Sequence, residues 1–108
     1  MKLRFQRVKS IIFFGVRMKI FINDELVARL ASGDVFETEV EQIHKIQIKT
    51  HRFINDLDIP VNDISDSADI LLQYQIGICK NKTQAIVSEN GRLIGVFPQT
   101  KEGLVKWK

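Results

Sequence analysis

Cysteine is almost absent from this chain of 108 residues: Cys79 stands alone. One thiol cannot close an internal disulfide, so the fold must rest on a packed core, and the count fits a reducing compartment. Cys79 lies in the apolar run Ile76-Gly77-Ile78-Cys79, the setting of a small core or edge residue. The six glycines are scattered, which leaves no glycine-rich loop to cradle phosphate. Ser10, Ser32, Ser65, Ser67 and Ser88 sit in turns or near them, and none stands in a Gly-x-Ser-x-Gly frame. Long apolar runs are missing too. Ile11 to Val16 is closed by Arg17, too short for a membrane-spanning helix or the centre of a signal peptide. It also lacks the helical period of a membrane-surface anchor. Asn81-Lys82-Thr83 has the form of a glycosylation acceptor, a chance match without a secretion signal. These absences predict a cytoplasmic protein with no membrane span.

What is present describes an ordinary globular domain, 44% hydrophobic and 27% charged. The length is that of one domain and can bury one core without disulfides or metal. From Met18 to Thr50 apolar and polar residues alternate between turn residues, which predicts antiparallel strands with one face in a core. Two registers suit the first hairpin. A two-residue loop Asn23-Asp24 pairs Ile20 with Val27 and Phe21 with Leu26, and its turn chemistry is good. A three-residue loop through Glu25 pairs Ile22 with Leu26, Ile20 with Ala28 and Met18 with Leu30, and gathers the apolar side chains on one face. Both stand. For Val35 to Thr50 a loop Glu41-Gln42-Ile43 pairs Phe36 with Ile48 and Thr38 with Ile46 on a buried face. On the other face it pairs Glu39 with Lys45, which satisfies burial and charge together.

The rest of the chain follows the same grammar. Lys2 to Lys9 predicts a first strand with Leu3, Phe5 and Arg7 on one face. Leu57 to Val61 alternates, and Pro60 marks it as an edge strand or a strand interrupted near its end. Asp69 to Cys79 predicts a long strand with Ile70, Leu72, Tyr74 and Ile76 on one face. Gln84 to Phe97 predicts a hairpin around Asn90-Gly91, a type I′ pair, with Glu89 opposite Arg92 and Val87 opposite Ile94. Pro98 ends it. The expected architecture is all-β: a small antiparallel β-sandwich built from successive hairpins over residues 1–98, with a C-terminal tail over 99–108.

The piece Lys19 to Lys49 carries a resemblance. Ile-Phe-Ile-Asn-Asp-Glu-Leu-Val-Ala-Arg-Leu, then Ser-Gly-Asp, then Glu-Val and a His before Ile-Gln-Ile-Lys is similar to the PEGA-like small β-sandwich modules of bacteria. Asp24 stands where those modules usually have the turn glycine, and Glu41-Gln42 where a Pro-Gly would precede His44. The resemblance implies a sandwich used for binding or structural attachment, and no catalytic residues or cofactor.

No constellation of catalytic or metal-ligating residues emerges. His44 falls on the inward face of the predicted hairpin, and His51 has no second His or Cys at ligand spacing. Asp63, Asp66 and Asp69 recur every third residue, but a calcium loop also needs a glycine and a terminal Glu, and both are missing. The informative feature is charge. The net +3 conceals six basic and no acidic residues in 1–19, against five aspartates and no Lys or Arg in 54–76. Lys2, Arg4, Arg7, Lys9, Asp56, Asp58, Asp63, Asp66 and Asp69 thus form the candidate interaction surface. The expectation is a non-enzymatic module binding protein, foremost a homodimer in which the acidic edge of one copy meets the basic strand of another and salt weakens the contact. The alternative is a small nucleic-acid-binding β-barrel using the basic N-terminal segment, where Phe5, Phe13 and Phe14 interleave with Lys and Arg.

Overall fold

The computed structural model describes residues 1–9, 16–50, 56–75 and 82–98. The described residues form nine strands: β1 (Lys2–Arg7), β2 (Met18–Ile22), β3 (Glu25–Leu30), β4 (Val35–Glu39), β5 (Ile46–Lys49), β6 (Leu57–Ile59), β7 (Ser67–Gln75), β8 (Lys82–Glu89) and β9 (Arg92–Phe97). One sheet runs β4-β1-β7-β8-β9 and the other β3-β2-β5-β6. All pairings are antiparallel except β1 with β7. The result is a small β-sandwich, as the alternation predicts. Residues 99–108, the expected tail, lie outside the described residues, as do His51 and Cys79.

The period of two makes the core. From the five-stranded sheet Leu3, Phe5, Ala68, Ile70, Leu72, Ala85, Val87 and Phe97 are buried. Met18, Ile20, Ile22, Leu30, Ile46, Ile48, Leu57 and Ile59 meet them from the four-stranded sheet. Each fully buried Leu, Ile, Val, Met or Phe removes enough apolar surface from water to contribute about 1.5–3 kcal/mol.

The first hairpin uses both registers. Ile22 pairs with Glu25 and Phe21 with Leu26 around a two-residue loop, with Asn23 and Asp24 at φ 51° and 67°. A bulge between Ile20 and Phe21 then shifts the pairing to Ile20 with Ala28 and Met18 with Leu30. Turn chemistry sets the tip and face consistency sets the body; the bulge joins them by leaving Val27 as the extra residue.

The second predicted hairpin does not exist. β4 belongs to the five-stranded sheet and β5 to the other. Glu39 lies across from Lys2 and Phe36 across from Phe5, while Ile46 and Ile48 lie across from Ile22 and Ile20. Glu39 thus meets a cation either way, so charge alone does not select Lys45. Asn23 ties the crossing down. Its Nδ2 donates to the Gln42 carbonyl at 2.9 Å, and its Oδ1 accepts from the His44 and Lys45 amides at 2.7 and 3.2 Å. The segment between β4 and β5 is thereby tied to the tip of the first hairpin, and His44 is exposed rather than inward.

The third hairpin is as expected at its tip. Asn90 and Gly91 have φ 54° and 81°, and Glu89 lies across from Arg92. A bulge between Val87 and Ser88 then places Val87 opposite Gly95 rather than Ile94. Gly95 is needed there because a Cβ would come within 2.9 Å of the buried Phe97 ring. β6 forms the edge beside β5, and Pro60 follows its last paired residue, Ile59, where a missing N–H does no harm.

Candidate interaction surfaces

The registers of β4, β1, β7, β8 and β9 fix what the outer face of the five-stranded sheet presents. One row across it reads Val35, Gln6, Leu71, Ile86, Val96. The next reads Glu37, Arg4, Asp69, Ser88, Leu93. The first row is apolar but for Gln6, and Leu93 extends it at the β9 edge. Val35 is 47% exposed and Leu93 60%. The second row alternates in sign over its first three positions, and Arg4 Nε lies 3.4 Å from Glu37 Oε1.

This arrangement spreads the residues of the expected surface over separate places. Lys2, Arg4 and Asp69 are exposed on adjoining strands, Lys2 between Glu39 and Ser67, Arg4 between Glu37 and Asp69. The basic strand therefore meets the acidic segment within one chain. Asp56 and Asp58 lie elsewhere, at the β6 edge of the other sheet, where Asp58 Oδ1 accepts from Gln47 Nε2 at 2.8 Å. Asp63 and Asp66 are exposed in the loop before β7, and Lys9 is exposed beside the Gly33 turn. Among the described residues no group of three or more His, Cys, Asp or Glu side chains could hold a metal ion, so the calcium alternative finds no support at Asp63, Asp66 and Asp69.

Arg7 leaves the surface altogether. It is 1% exposed, on the inward face that alternation with Leu3 and Phe5 gives it. Its Nη1 donates to the carbonyls of Val16 and, at 2.8 Å, of Leu30 at the end of β3. The guanidinium carbon stands 5.1 Å from the centre of the Tyr74 ring. One side chain thus joins β1 and β7 of one sheet to β3 of the other. Burial lowers the Arg7 pKa and raises that of Tyr74, while their mutual attraction opposes both shifts. A strand with its last cation buried, Arg4 flanked by two carboxylates and Lys2 beside one is no open basic groove. β1 by itself therefore offers no open basic track for nucleic acid.

Glu89 carries a role that the sequence did not reveal. Besides facing Arg92, its carboxylate accepts four hydrogen bonds from the loop entering β7: the Ser65 hydroxyl at 2.8 Å and the amides of Ser65, Asp66 and Ser67 at 3.3, 2.9 and 3.1 Å. The hairpin tip thereby holds the loop, and β7 begins at Ser67, two residues before the expected Asp69. Only the charged carboxylate accepts all four bonds. They lower the Glu89 pKa from 4.5 to about 2, with the Ser67 amide the largest cause. A depressed carboxylate pKa stabilises the fold above the unfolded value, and that contribution is lost as pH falls through the folded one. Urea unfolding of the wild type should therefore weaken from pH 4.5 down to about 2 by a step that Glu89→Gln lacks. Parallel pH profiles of the two proteins would contradict the assignment. An open cleft of about 650 Å³ lies against this junction, lined by Asp63, Ser65, Glu89, Arg92 and Leu93 among others. The four bonds to Glu89 already engage its carboxylate there.

Among the described residues no helix is long and apolar enough to cross a membrane. Comparison of the chain with protein-family models, curated proteins and solved structures gives no match.

Proposed function

We propose that this chain is a non-enzymatic, cytoplasmic binding module that associates with a second copy of itself through the outer face of the five-stranded sheet. The row Val35, Gln6, Leu71, Ile86, Val96, extended by Leu93, carries this reading. Five strands about 4.8 Å apart and one row, about 6.6 Å, deep make an apolar strip of roughly 160 Å². The flanking charges alternate and are engaged with one another, so they raise little barrier to meeting their own copy. The patch is well short of the roughly 800 Å² per partner of a stable complex, which makes the dimer weak and concentration-dependent. Binding or attachment is also what the PEGA-like resemblance implies.

Light scattering and sedimentation across a concentration series test the reading. The wild type should shift toward dimer at high concentration, and Leu71→Lys, at the centre of the row, should stay monomeric with an unchanged circular dichroism spectrum. Because the driving force is apolar burial, added sulfate should strengthen the association. A dimer that dissociates with salt would restore the charge-driven contact expected from the sequence; a monomer throughout would end the proposal.

A further inference from the structure

The outer face of the four-stranded sheet has a different character. Lys19 on β2 lies directly across from Arg29 on β3 and from Lys49 on β5, a row of three cations over three neighbouring strands. Arg17 is exposed just before β2. Like charges facing each other across strands destabilise a sheet, so this row is unfavourable for folding. Yet none of the three forms an ion pair with a described residue; the pairs are Arg4 with Glu37 and Lys45 with Asp24. The carboxylates of this face, Asp56 and Asp58, sit at the β6 edge. The adjoining row reads Leu26, Phe21, Gln47 and, on β6, Asp58. Leu26 is exposed, Phe21 is half-buried, and the Lys49 ammonium lies 4.9 Å from the centre of the Phe21 ring.

We infer that this face binds single-stranded nucleic acid: Lys19, Arg29 and Lys49 take successive phosphates, and Phe21 offers a ring against which a base can stack. Charge complementarity names a polyanion. Neighbouring strands space the cations about 4.8 Å apart in a line, a track for a backbone rather than a pocket for one ion. A cation row beside an aromatic is the pairing that sequence-tolerant single-strand binders use. The face is a sheet surface with no described element standing out from it to enter a duplex groove, whereas splayed bases can lie on it. A membrane would need apolar side chains to insert, and among the described residues of this face Leu26 alone is an exposed large hydrophobic. The surface is separate from the apolar row proposed for self-association, so either can fail without the other.

Fluorescence anisotropy of labelled (dT)20 and (rU)20, at 20 to 200 mM salt, tests this. Both should bind, and log affinity should fall against log salt with a slope of about −2, as three phosphate contacts to a single strand require. The triple variant Lys19→Gln, Arg29→Gln, Lys49→Gln should lose about tenfold or more at low salt. It should melt no lower than the wild type, since it relieves a repulsion. Phe21→Leu, which keeps an apolar side chain, should weaken binding several-fold and leave the salt slope unchanged. Lys2→Gln with Arg4→Gln removes charge from the other sheet and should change affinity less than twofold. Equal loss in this control, no binding at 20 mM salt, or tighter binding to phosphatidylserine vesicles than to either oligonucleotide would overturn the inference.

Discussion

Arg7→Ala should remove about 3–5 kcal/mol of folding free energy, measured by urea unfolding, a large share of the roughly 5–15 kcal/mol that holds a domain of this size. Two losses add. The carbonyls of Val16 and Leu30 lose the guanidinium that satisfies them, and an orphaned buried acceptor costs about 1–3 kcal/mol. A side chain that is 1% exposed and packed on Tyr74 leaves a cavity between the sheets. Two further variants separate these terms. Arg7→Met fills most of the volume but donates nothing, so it should recover the cavity part only. Arg7→Lys keeps a charge and one donor head but not the planar fork. Burial would lower that ammonium's pKa, so the unfolded state would bind more protons than the folded one. Its stability should therefore rise with pH in the alkaline range, where the wild-type guanidinium stays protonated. If Arg7→Ala and Arg7→Met cost the same, the hydrogen bonds carry the effect; if neither costs more than about 1 kcal/mol, Arg7 does not join the sheets.

The inward faces were legible because alternation is a local property of each strand. Leu3 with Phe5, Met18 with Ile20 and Ile22, Ile46 with Ile48, and Ile70 with Leu72 all point where the period of two puts them. The Asn90-Gly91 turn was legible because positive φ at both residues restricts the chemistry. Partner choice was not. Alternation says which side chains face inward but not which strand lies alongside, and Lys2 lies across from Glu39 where the expected hairpin puts Lys45. The parallel pairing of β1 with β7 joins segments far apart in sequence, with no turn between them to announce it. Where the candidate surface residues lie was hidden for the same reason: the charge asymmetry of the basic and acidic segments does not show that β1 stands between β4 and β7. Arg7 is instructive. Alternation already placed it with Leu3 and Phe5, and its inclusion in a surface patch contradicted that placement. Glu89 gave no signal, because its partners are backbone amides of a loop brought to it by the β7–β8 pairing. The cation row over β3, β2 and β5 was hidden similarly, since Lys19, Arg29 and Lys49 meet only once three strands are in register.

Phe5→Ala should cost about 3–5 kcal/mol and Phe36→Ala only about 1–2 kcal/mol, although the expected hairpin from Val35 to Thr50 puts Phe36 on its buried face. Phe5 is fully buried, on the strand between β4 and β7, with Phe36 and Ile70 across from it. Truncating it opens a void walled on both sides by the ladder, where the backbone cannot collapse inward. Phe36 sits on β4, the edge of the same sheet, and is only partly buried, so water can fill part of the space its ring leaves. The two rings are stacked with centroids 6.3 Å apart and an interplanar angle of 28°, an arrangement worth about 0.5–1.5 kcal/mol beyond the area buried. The double variant should therefore cost less than the sum of the singles by about that amount, because either single change already removes the ring contact. Urea unfolding of the four proteins closes the cycle. Strict additivity would mean that the rings do not touch in solution. A Phe36→Ala cost equal to that of Phe5→Ala would mean that the β4 edge is covered, as it would be if a second copy packed across it.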